Sequence, residues 1–294
     1  MSRPLSIFRP GLFDGATALI TGGGSGIGKA IALELVQLGA NVVLAARGEE
    51  RLLRAVDELR PQAAGGGVSS VVCNIRAEDQ VKAAMAAAVE RHGRIDFLVN
   101  NAGGQFPSPA AYIRTKGWNA VVETNLTGTY LCCREAFLAS MEEHGGVIVN
   151  VIADMWRGFP GMAHTGAARA GVDNLTKTLS VEWAHFGVRV NAVAPGIILS
   201  SGYDTYDPFF QQIFLDSRKN APAWRLGTEE EVSAAVCFLL SPAAAYVTGE
   251  TMRVDGGASL WKLNWEVPEH DRMPRYGGRD VGAGQADDPG EDEG

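Results

Sequence analysis

The 294-residue sequence has few cysteines and no long apolar run. Its four cysteines, at 73, 132, 133 and 237, form neither a CxxC pair nor a cluster with histidine, so the usual zinc sites and a disulfide framework are excluded. We expect free, buried thiols. No apolar stretch approaches the roughly 18 residues of a membrane-spanning helix. Residues 1–10 also lack the apolar region of a signal peptide. These absences predict a cytoplasmic protein without a metal site.

Basic residues are missing from one end of the chain. The formal net charge is −8, but residues 280–294 contain six acidic side chains and no basic one, which leaves the remainder close to neutral. A tail rich in glycine, aspartate and glutamate cannot bury an apolar core, so we expect residues 280–294 to be disordered. The near-neutral remainder gives no indication of a nucleic-acid partner.

Apolar strand-like segments alternate with helix-like segments across residues 11–262. Strands that are apolar along their whole length are typical of parallel sheets covered by helices on both faces. We therefore predict an α/β fold, a Rossmann-type doubly wound sheet of seven parallel strands in a single domain. An aromatic-rich insertion at 197–219 follows the sixth strand and is expected to form a substrate lid. Residues 1–10 are predicted as an N-terminal segment and 263–279 as a C-terminal extension.

Apolar periodicity and the glycines at segment ends set the expected boundaries. Thr228 and Glu231 have the spacing of a capping box. The strands are expected at Ala16–Thr21, Asn41–Ala46, Val68–Ile75, Ile95–Asn100, Val147–Val151, Val188–Ala192 and Thr251–Val254. The helices are expected at Lys29–Leu38, Glu49–Leu59, Glu78–His92, Trp118–His144, Ala167–Phe186 and Thr228–Leu240.

The first motif with chemical content is a glycine-rich turn, residues 21–28 (TGGGSGIG), between the first strand and the first helix. Glycines allow a tight turn and the close approach of a pyrophosphate, and the helix start offers free N–H groups. A glycine-rich stretch alone is a weak signal, but its place between a strand and a helix makes it specific. The turn therefore predicts a dinucleotide-binding site.

Three further motifs accompany the turn: Asn100-Asn101-Ala102-Gly103 after the fourth strand, Asn125 within ETNL, and Pro195-Gly196 after the sixth strand. Together they resemble the short-chain dehydrogenase/reductase family over about residues 12–260. In that family the glycine turn binds the pyrophosphate, the Asn-Asn-Ala-Gly segment supports the adenosine side, and Pro-Gly flanks the nicotinamide. The resemblance implies cofactor contacts at Gly22, Ser25, Gly26, Ile27, Gly28, Arg47, Asn74, Ile75, Asn101, Ala102, Gly103, Arg169, Pro195, Gly196 and Ile198.

The end of the second strand bears on the choice of cofactor. NAD enzymes place an acidic residue there to bind the ribose hydroxyls. Here Arg47 follows the strand, and no acidic residue lies between the strand and Glu49. Because an arginine can pair bidentately with a 2′-phosphate, NADP(H) is the predicted cofactor. Asn74 fits the adenine-binding position of the family, where an acidic residue is more usual.

The catalytic positions depart from the family pattern of Asn, Ser, Tyr and Lys. With Ala170-Gly171 in register, Thr165 falls at the tyrosine position and Arg169 at the lysine position, and the serine position falls on Ala153. The asparagine is retained as Asn125, which we expect to hold a helix bend and an ordered water. A threonine hydroxyl is a far weaker acid than a phenol, so the usual protonation of an alkoxide is not expected.

The segment HTGAARAGV at 164–172 resembles the peroxisomal trans-2-enoyl-CoA reductase branch of the family. So do GGQF at 103–106, TKGW at 115–118 and WEVPEHD at 265–271. This resemblance implies NADPH-dependent reduction of the 2,3 double bond of an enoyl-CoA or related acyl thioester. The peroxisomal location is not implied, because the chain ends in EDEG rather than in a peroxisomal signal.

The proton donor stays open at this stage. His164 is one candidate because an imidazole titrates near neutral pH, and the lid tyrosines, Tyr206 above all, are others. Three functions are considered: an enoyl-thioester reductase; a carbonyl or alcohol dehydrogenase acting on a ketone or terpenoid; and a non-catalytic NADP-binding module. The missing Tyr and Lys count against the second, and the aromatic lid counts against the third.

Apolar residues on more than one face of the helices at 118–144 and 167–186 predict a homo-oligomer, expected to be a tetramer with the segment after Leu260 at a subunit contact.

Overall fold

Seven parallel strands form one sheet in the computed structural model, which describes residues 6–200, 208–260 and 265–277. The strands are β1 (Thr17–Thr21), β2 (Asn41–Ala46), β3 (Val68–Val72), β4 (Phe97–Asn100), β5 (Gly146–Val151), β6 (Val188–Pro195) and β9 (Thr251–Val254). Their order in the sheet is β3-β2-β1-β4-β5-β6-β9. A short parallel pair, β7 (Ile198–Leu199) with β8 (Gly227–Thr228), lies outside it. The predicted Rossmann-type sheet is confirmed.

Nine α-helical segments are found in the described ranges: α1 (Gly26–Gln37), α2 (Glu49–Leu59), α3 (Glu78–His92), α4 (Thr115–Val122), α5 (Gly128–Ala136), α6 (Glu142–His144), α7 (Ala163–Glu182), α8 (Pro208–Asp216) and α9 (Glu229–Leu240). The predicted capping box is present: Thr228 Oγ1 accepts from Glu231 N, and the Glu231 carboxylate accepts from Thr228 N. None of the helices in these ranges is long and apolar enough to cross a membrane.

Successive side chains along a strand point to opposite faces of the sheet, and they pack into two cores. In β1, Ala18 and Ile20 face a cluster that includes residues of α1, α2 and α9, and Leu19 faces a second cluster formed with α3, α5 and α7. Every residue of β1 is buried, and the three residues between its terminal threonines are apolar, as expected of a parallel strand under two helical layers. The carboxyl ends of all seven strands therefore meet at one edge of the sheet, where α/β proteins bind ligands.

The predicted helix from Trp118 to His144 is interrupted rather than regular. It begins at Thr115 and contains two π-helical segments, Glu123–Thr127 and Phe137–Met141, between α4, α5 and α6. Apolar periodicity predicts that a helix exists but not a local change in its hydrogen-bond step. Such π segments are frequent at functional sites.

Other predicted boundaries needed correction by two to four residues. The predicted Ala167 start of α7 is wrong, because the helix begins at Ala163 and so includes His164 and Thr165. The sixth strand continues beyond Ala192 to Pro195, while the third ends at Val72 rather than Ile75 and the fourth begins at Phe97 rather than Ile95. A glycine near the start of α7 and polar residues near the strand ends interrupt the apolar periodicity, so the sequence did not predict these boundaries correctly.

Residues 265–277 pack against their own chain. Trp224 Nε1 donates to the carbonyl of Val267 at 2.9 Å, Arg225 Nε donates to that of Met273 at 2.8 Å, and Thr228 Oγ1 donates to that of Tyr276 at 2.7 Å. The expected subunit contact of this extension stays a prediction. Within its own chain, the extension binds to residues 224–228, which lie just before α9.

Candidate active site

The glycine-rich turn joins β1 to α1 at the sheet edge described above. Gly22 and Gly26 adopt positive φ of 68° and 58°, a conformation that L side chains rarely take. A Cβ at Gly28 would collide with the carbonyl of Gly22, so the helix start approaches the turn too closely for a side chain. Ser25 is the N-cap of α1 and makes no side-chain cap hydrogen bond. The first N–H groups of α1 are thus available to an anion.

The Asn-Asn-Ala-Gly segment is tied directly to this turn. Asn101 Nδ2 donates to the carbonyls of Thr21 and Gly22 at 3.2 and 3.3 Å. Thr21 Oγ1 accepts from the N–H groups of Asn101 and Ala102, both at 3.1 Å. The side chain of Asn101 therefore shapes the turn, and the segment's role is to hold the glycine loop against β4.

Arg47 lies exposed at the end of β2 and makes no hydrogen bond or ion pair with any residue in the described ranges. A second arginine, Arg51, extends across the glycine turn: a Cβ at Gly24 would lie 3.4 Å from Arg51 Cγ. Sequence reasoning did not single out Arg51, although its position four residues after Arg47 could have suggested it. The two residues bring two positive charges to this edge of the sheet.

The segment that follows β3 supplies the next two predicted cofactor positions. Asn74 Oδ1 accepts from the Arg76 N–H at 3.2 Å, and its own N–H donates to Gln80 Oε1 at 2.9 Å. Ile75 is buried, and its side chain packs where a Cβ at Gly128 would lie. Two other predicted positions, Ile27 and Ala102, pack against the two cores.

Arg169 is a buried cation with no counterion in the part of the chain that the structure describes. It is 8% exposed and lies on α7, where burial lowers the pKa of its guanidinium to about 10. A side chain at Gly103 would collide with this guanidinium. At neutral pH the charge therefore remains, and a buried charge without a partner is unfavourable unless a ligand pairs with it.

Asn125 lies fully buried in the first π segment, where the helical hydrogen-bond step changes. Its Oδ1 accepts from the Gly104 N–H at 2.9 Å and its Nδ2 donates to the Gly104 carbonyl at 3.0 Å. This pair of hydrogen bonds fixes the main chain next to Gly103. The expected ordered water stays a prediction, whereas the contact with Gly104 was not foreseen.

His164 and Thr165 are both fully buried in the first turn of α7. The Thr165 N–H donates to His164 Nδ1 at 2.8 Å, and Thr165 Oγ1 lies 3.2 Å from the same nitrogen. Burial lowers the pKa of His164, opposed in part by the carbonyl of Met162. Nε2 is buried and has no hydrogen-bond partner among the described residues. Because the Thr165 N–H donates to Nδ1, the neutral tautomer that fits this contact is the one with its proton on Nε2. The ring meets Phe106 edge-on, with 4.5 Å between centroids.

Pro195 and Gly196 end β6 beside two acidic residues that sequence reasoning missed. The Asp154 N–H donates to the Pro195 carbonyl at 3.1 Å. A Cβ at Gly196 would lie 2.8 Å from the Cα of Asp255. Nothing in a single sequence separates these carboxylates from surface ones, because only the sheet register brings the ends of β5, β6 and β9 together.

The lid region begins at Ile198, which pairs with Gly227. Leu199 and Leu226 form a small core with Leu215 of α8 packed against it. Tyr206 and Tyr203, the predicted lid phenols, lie outside the described residues. The cysteines are all buried, and none of the described residues forms a group of potential metal ligands.

The residues at this edge fit a nicotinamide dinucleotide, NAD(P)H. The turn is a cradle that side chains at Gly22 and Gly28 would fill, and Arg169 is a buried cation facing Gly103 with no partner in the described ranges. A dinucleotide bound there would be held by the first N–H groups of α1, with the arginines after β2 and Arg169 available as cations.

Comparisons with known proteins agree with this geometry. A family model described as enoyl-(acyl carrier protein) reductase matches residues 22–259. A probable 2,4-dienoyl-CoA reductase of Bacillus subtilis is 38% identical over 245 residues, which cover 82% of this chain and 96% of that protein. Among solved structures, a citronellol catabolism dehydrogenase of Pseudomonas aeruginosa is 52% identical with a TM-score of 0.78, covering 87% of this chain and 100% of that one. An actinorhodin polyketide ketoreductase solved with NADPH is 35% identical with a TM-score of 0.78, covering 84% and 98%.

Proposed function

The chain belongs to the short-chain dehydrogenase/reductase family and is an oxidoreductase; from this premise we propose that it uses NADPH to reduce the 2,3 double bond of an enoyl-CoA or related unsaturated acyl thioester. The observation that carries the proposal is the donor set at the start of α7. It offers a neutral imidazole N–H, a threonine hydroxyl and a buried arginine in place of a phenol and a lysine. Donors of this kind can stabilise an enolate oxygen but cannot protonate an alkoxide at neutral pH.

When bound, NADPH would supply the hydride that adds to the β-carbon. As negative charge develops on the thioester oxygen, His164 Nε2–H is available as a hydrogen-bond donor, because its Nδ1 is already occupied by Thr165. The Thr165 hydroxyl orients the imidazole through the same nitrogen. Hydrogen-bond donors that are already in position need no reorganisation when the charge appears.

Arg169 and Asn125 position other groups and do not transfer protons. The guanidinium keeps its charge at neutral pH, since burial lowers its pKa only to about 10. Arginine therefore serves as a fixed cation beside the cofactor ribose. Asn125 holds Gly104 through two hydrogen bonds and so keeps the main chain of the neighbouring Gly103 close to Arg169.

The cofactor preference for NADPH over NADH is part of the proposal. Arg47 and Arg51 provide two exposed cations near the glycine turn, and of the two acidic residues between them, Glu49 and Glu50, the second lies 3.4 Å from Arg54. A 2′-phosphate can pair with such arginines through charge-assisted hydrogen bonds. The NADPH-bound ketoreductase structure supports the same cofactor by similarity.

A second function is kept because of one observation: the 52% identity to a citronellol catabolism dehydrogenase. A terpenoid alcohol or aldehyde, or the unsaturated thioester formed from one, would be the substrate in that case. The decisive experiment is an NADPH-oxidation assay across enoyl-CoA, dienoyl-CoA, branched terpenoid thioester and ketone panels. Turnover of the unsaturated thioesters with inert ketones supports the proposal. Turnover of ketones alone contradicts it and leaves the dehydrogenase function.

Assembly as a homo-oligomer, a tetramer in particular, is also proposed. Tyr130 on α5, Leu138 in the second π segment and Val181 on α7 are 41%, 56% and 77% exposed. Apolar side chains exposed on neighbouring helices favour association. Light scattering at micromolar concentration tests this, and a monomeric mass would contradict it. A cytoplasmic location remains a prediction.

A further inference from the structure

Asp154 follows β5 at the edge where the strands' carboxyl ends meet. Its main-chain hydrogen bond to Pro195 holds it beside the Pro-Gly segment that ends β6. Its Oδ1 is buried and has no hydrogen-bond partner within residues 6–200, 208–260 and 265–277. An ionised carboxylate is unfavourable in such a place, because a buried oxygen without a donor loses its hydration and gains nothing in return.

A second carboxylate, Asp255, lies on the other side of Gly196 and is fully satisfied. It accepts from the N–H groups of Gly257 and Ser259 at 2.9 and 3.0 Å. Burial opposes its ionisation, but the hydrogen bonds from Ser259 and Gly257 outweigh burial and lower the pKa of Asp255. This residue is therefore an ionised neighbour.

The surroundings of the two carboxyl groups shift their pKa values in opposite directions. Burial raises the pKa of Asp154, and the charge of Asp255 raises it further. The Trp156 N–H and the cations of Arg253 and Arg157 offset part of this shift. Arg253 is itself held over the Trp156 ring, 4.0 Å from its centroid. Paired acids with opposed environments are the usual arrangement in which one keeps a proton to donate and the other stays charged.

None of the groups at the start of α7 supplies the proton that the α-carbon needs. The Thr165 hydroxyl is too weak an acid, the Arg169 guanidinium keeps its proton at neutral pH, and His164 is buried as a neutral ring. Asp154 lies at the same sheet edge, and its carboxyl group has a buried oxygen without a partner among the described residues and a raised pKa, which suit a proton donor.

We propose that Asp154 is the proton donor of the reduction proposed above, an inference that rests on that function. Hydride addition to the β-carbon moves the double-bond electrons toward the thioester and leaves an enolate. The O–H bond of the Asp154 carboxyl then breaks, and its proton forms the new C–H bond at the α-carbon, directly or through one water. The electron pair stays on the Asp154 carboxylate, which takes another proton from solvent.

The test is Asp154→Asn, which keeps the shape and removes the acidic proton. We expect kcat to fall by about 10²- to 10⁴-fold, the usual contribution of a general acid, with the NADPH dissociation constant unchanged. Infrared pH titration supplies a readout independent of turnover. The wild type should show a protonated-carboxyl band that persists above the pH at which ordinary aspartates ionise, and this band should be missing in Asp154→Asn. Asp79→Asn, at an exposed position on α3, is the matched control and should change neither readout.

Three outcomes decide between the claims. If Asp154→Asn keeps the wild-type kcat and pH profile, or if the wild type lacks the band, the role of Asp154 is overturned while the reductase function stands. A wild type that is inert with every unsaturated thioester overturns the function and with it the donor. Should Asp154→Asn fail to fold, Asp154→Glu replaces it: the alkaline fall in kcat should shift in Asp154→Glu, and an unshifted profile overturns the proposal.

Discussion

The main-chain N–H of Thr165 donates a 2.8 Å hydrogen bond to Nδ1 of His164, so the residue at the family's tyrosine position contacts the imidazole ring directly. We propose that this contact leaves the proton of the neutral ring on Nε2, which has no partner among the described residues. We predict that His164→Ala lowers kcat by about 10²- to 10³-fold, the usual loss for one donor to a developing oxyanion. The variant should bind NADPH normally in a fluorescence titration.

His185 offers the control, because it is exposed on the short 3₁₀ turn after α7. His185→Ala should have wild-type kinetics. Nitrogen NMR of labelled protein checks the premise directly, since the Nε2-protonated tautomer has a distinct pair of shifts. An Nδ1-protonated ring, or a His164→Ala variant as fast as wild type, would remove His164 from the mechanism.

Thr165→Val tests whether the hydroxyl acts on substrate or on the imidazole. A threonine that donates to the oxyanion should cost about a hundredfold when removed. The structure instead puts Thr165 Oγ1 3.2 Å from His164 Nδ1, so we expect the loss of an ordinary hydrogen bond of about 0.5–1.5 kcal/mol, up to roughly tenfold in kcat. Steady-state kinetics beside His164→Ala decide the matter: a larger loss in Thr165→Val than in His164→Ala would reverse the two roles.

Arg47→Ala and Arg51→Ala should each weaken NADPH binding by one to two decades, because a charge-assisted hydrogen bond contributes about 1.5–3 kcal/mol. NADH binding should stay nearly constant, since NADH lacks the 2′-phosphate. Arg54→Ala is the matched control, as Arg54 is exposed on the same helix and lies 3.4 Å from Glu50. Isothermal titration with both cofactors measures the effect, and equal losses for NADPH and NADH would contradict the assignment.

Gly103→Ala and Gly104→Ala form a matched pair of neighbouring substitutions. A Cβ at Gly103 would collide with the guanidinium of Arg169, whereas a Cβ at Gly104 meets nothing within 4 Å. Because the obstructing atoms are the end of a flexible side chain, we expect Gly103→Ala to fold but to displace Arg169. NADPH affinity and kcat should fall in Gly103→Ala and not in Gly104→Ala, with closely similar melting temperatures. Equal cofactor affinity in the two variants would mean that the place of Arg169 is unimportant.

The sequence was sufficient for the sheet, the glycine turn and the cofactor edge, because each follows from local patterns: apolar strands, glycines and cap residues. It could also align Thr165 and Arg169 with the family's catalytic positions. It could not reveal the partners of these residues. The contact of Asn125 with Gly104 depends on a π segment, and Asp154 meets Pro195 only through the pairing of β5 with β6. Long-range contacts of this kind leave no periodic signal.

Glu231 should make the stability of the protein depend on pH. Arg225 contacts its carboxylate through two hydrogen bonds of 2.9 and 2.6 Å, and the N–H of Thr228 adds a third. Burial opposes the ionisation of Glu231, but the hydrogen bonds from Arg225 and Thr228 outweigh it and lower its pKa. A lowered folded-state pKa contributes stability above the unfolded-state pKa, and this contribution is lost as the pH falls through the folded-state value.

Glu231→Gln should therefore lower the free energy of unfolding at neutral pH by about 1.5–3 kcal/mol, the range for a hydrogen-bonded charge. The deficit should shrink toward acid pH, where the wild type loses the same interaction. Glu50→Gln is the control, because its carboxylate is 86% exposed and surface pairs contribute little. Urea denaturation at several pH values measures both variants. A deficit that is constant with pH would mean that Glu231 acts as a neutral cap of α9, and that Arg225 holds residues 265–277 through the carbonyls of Met273 and Pro274 alone.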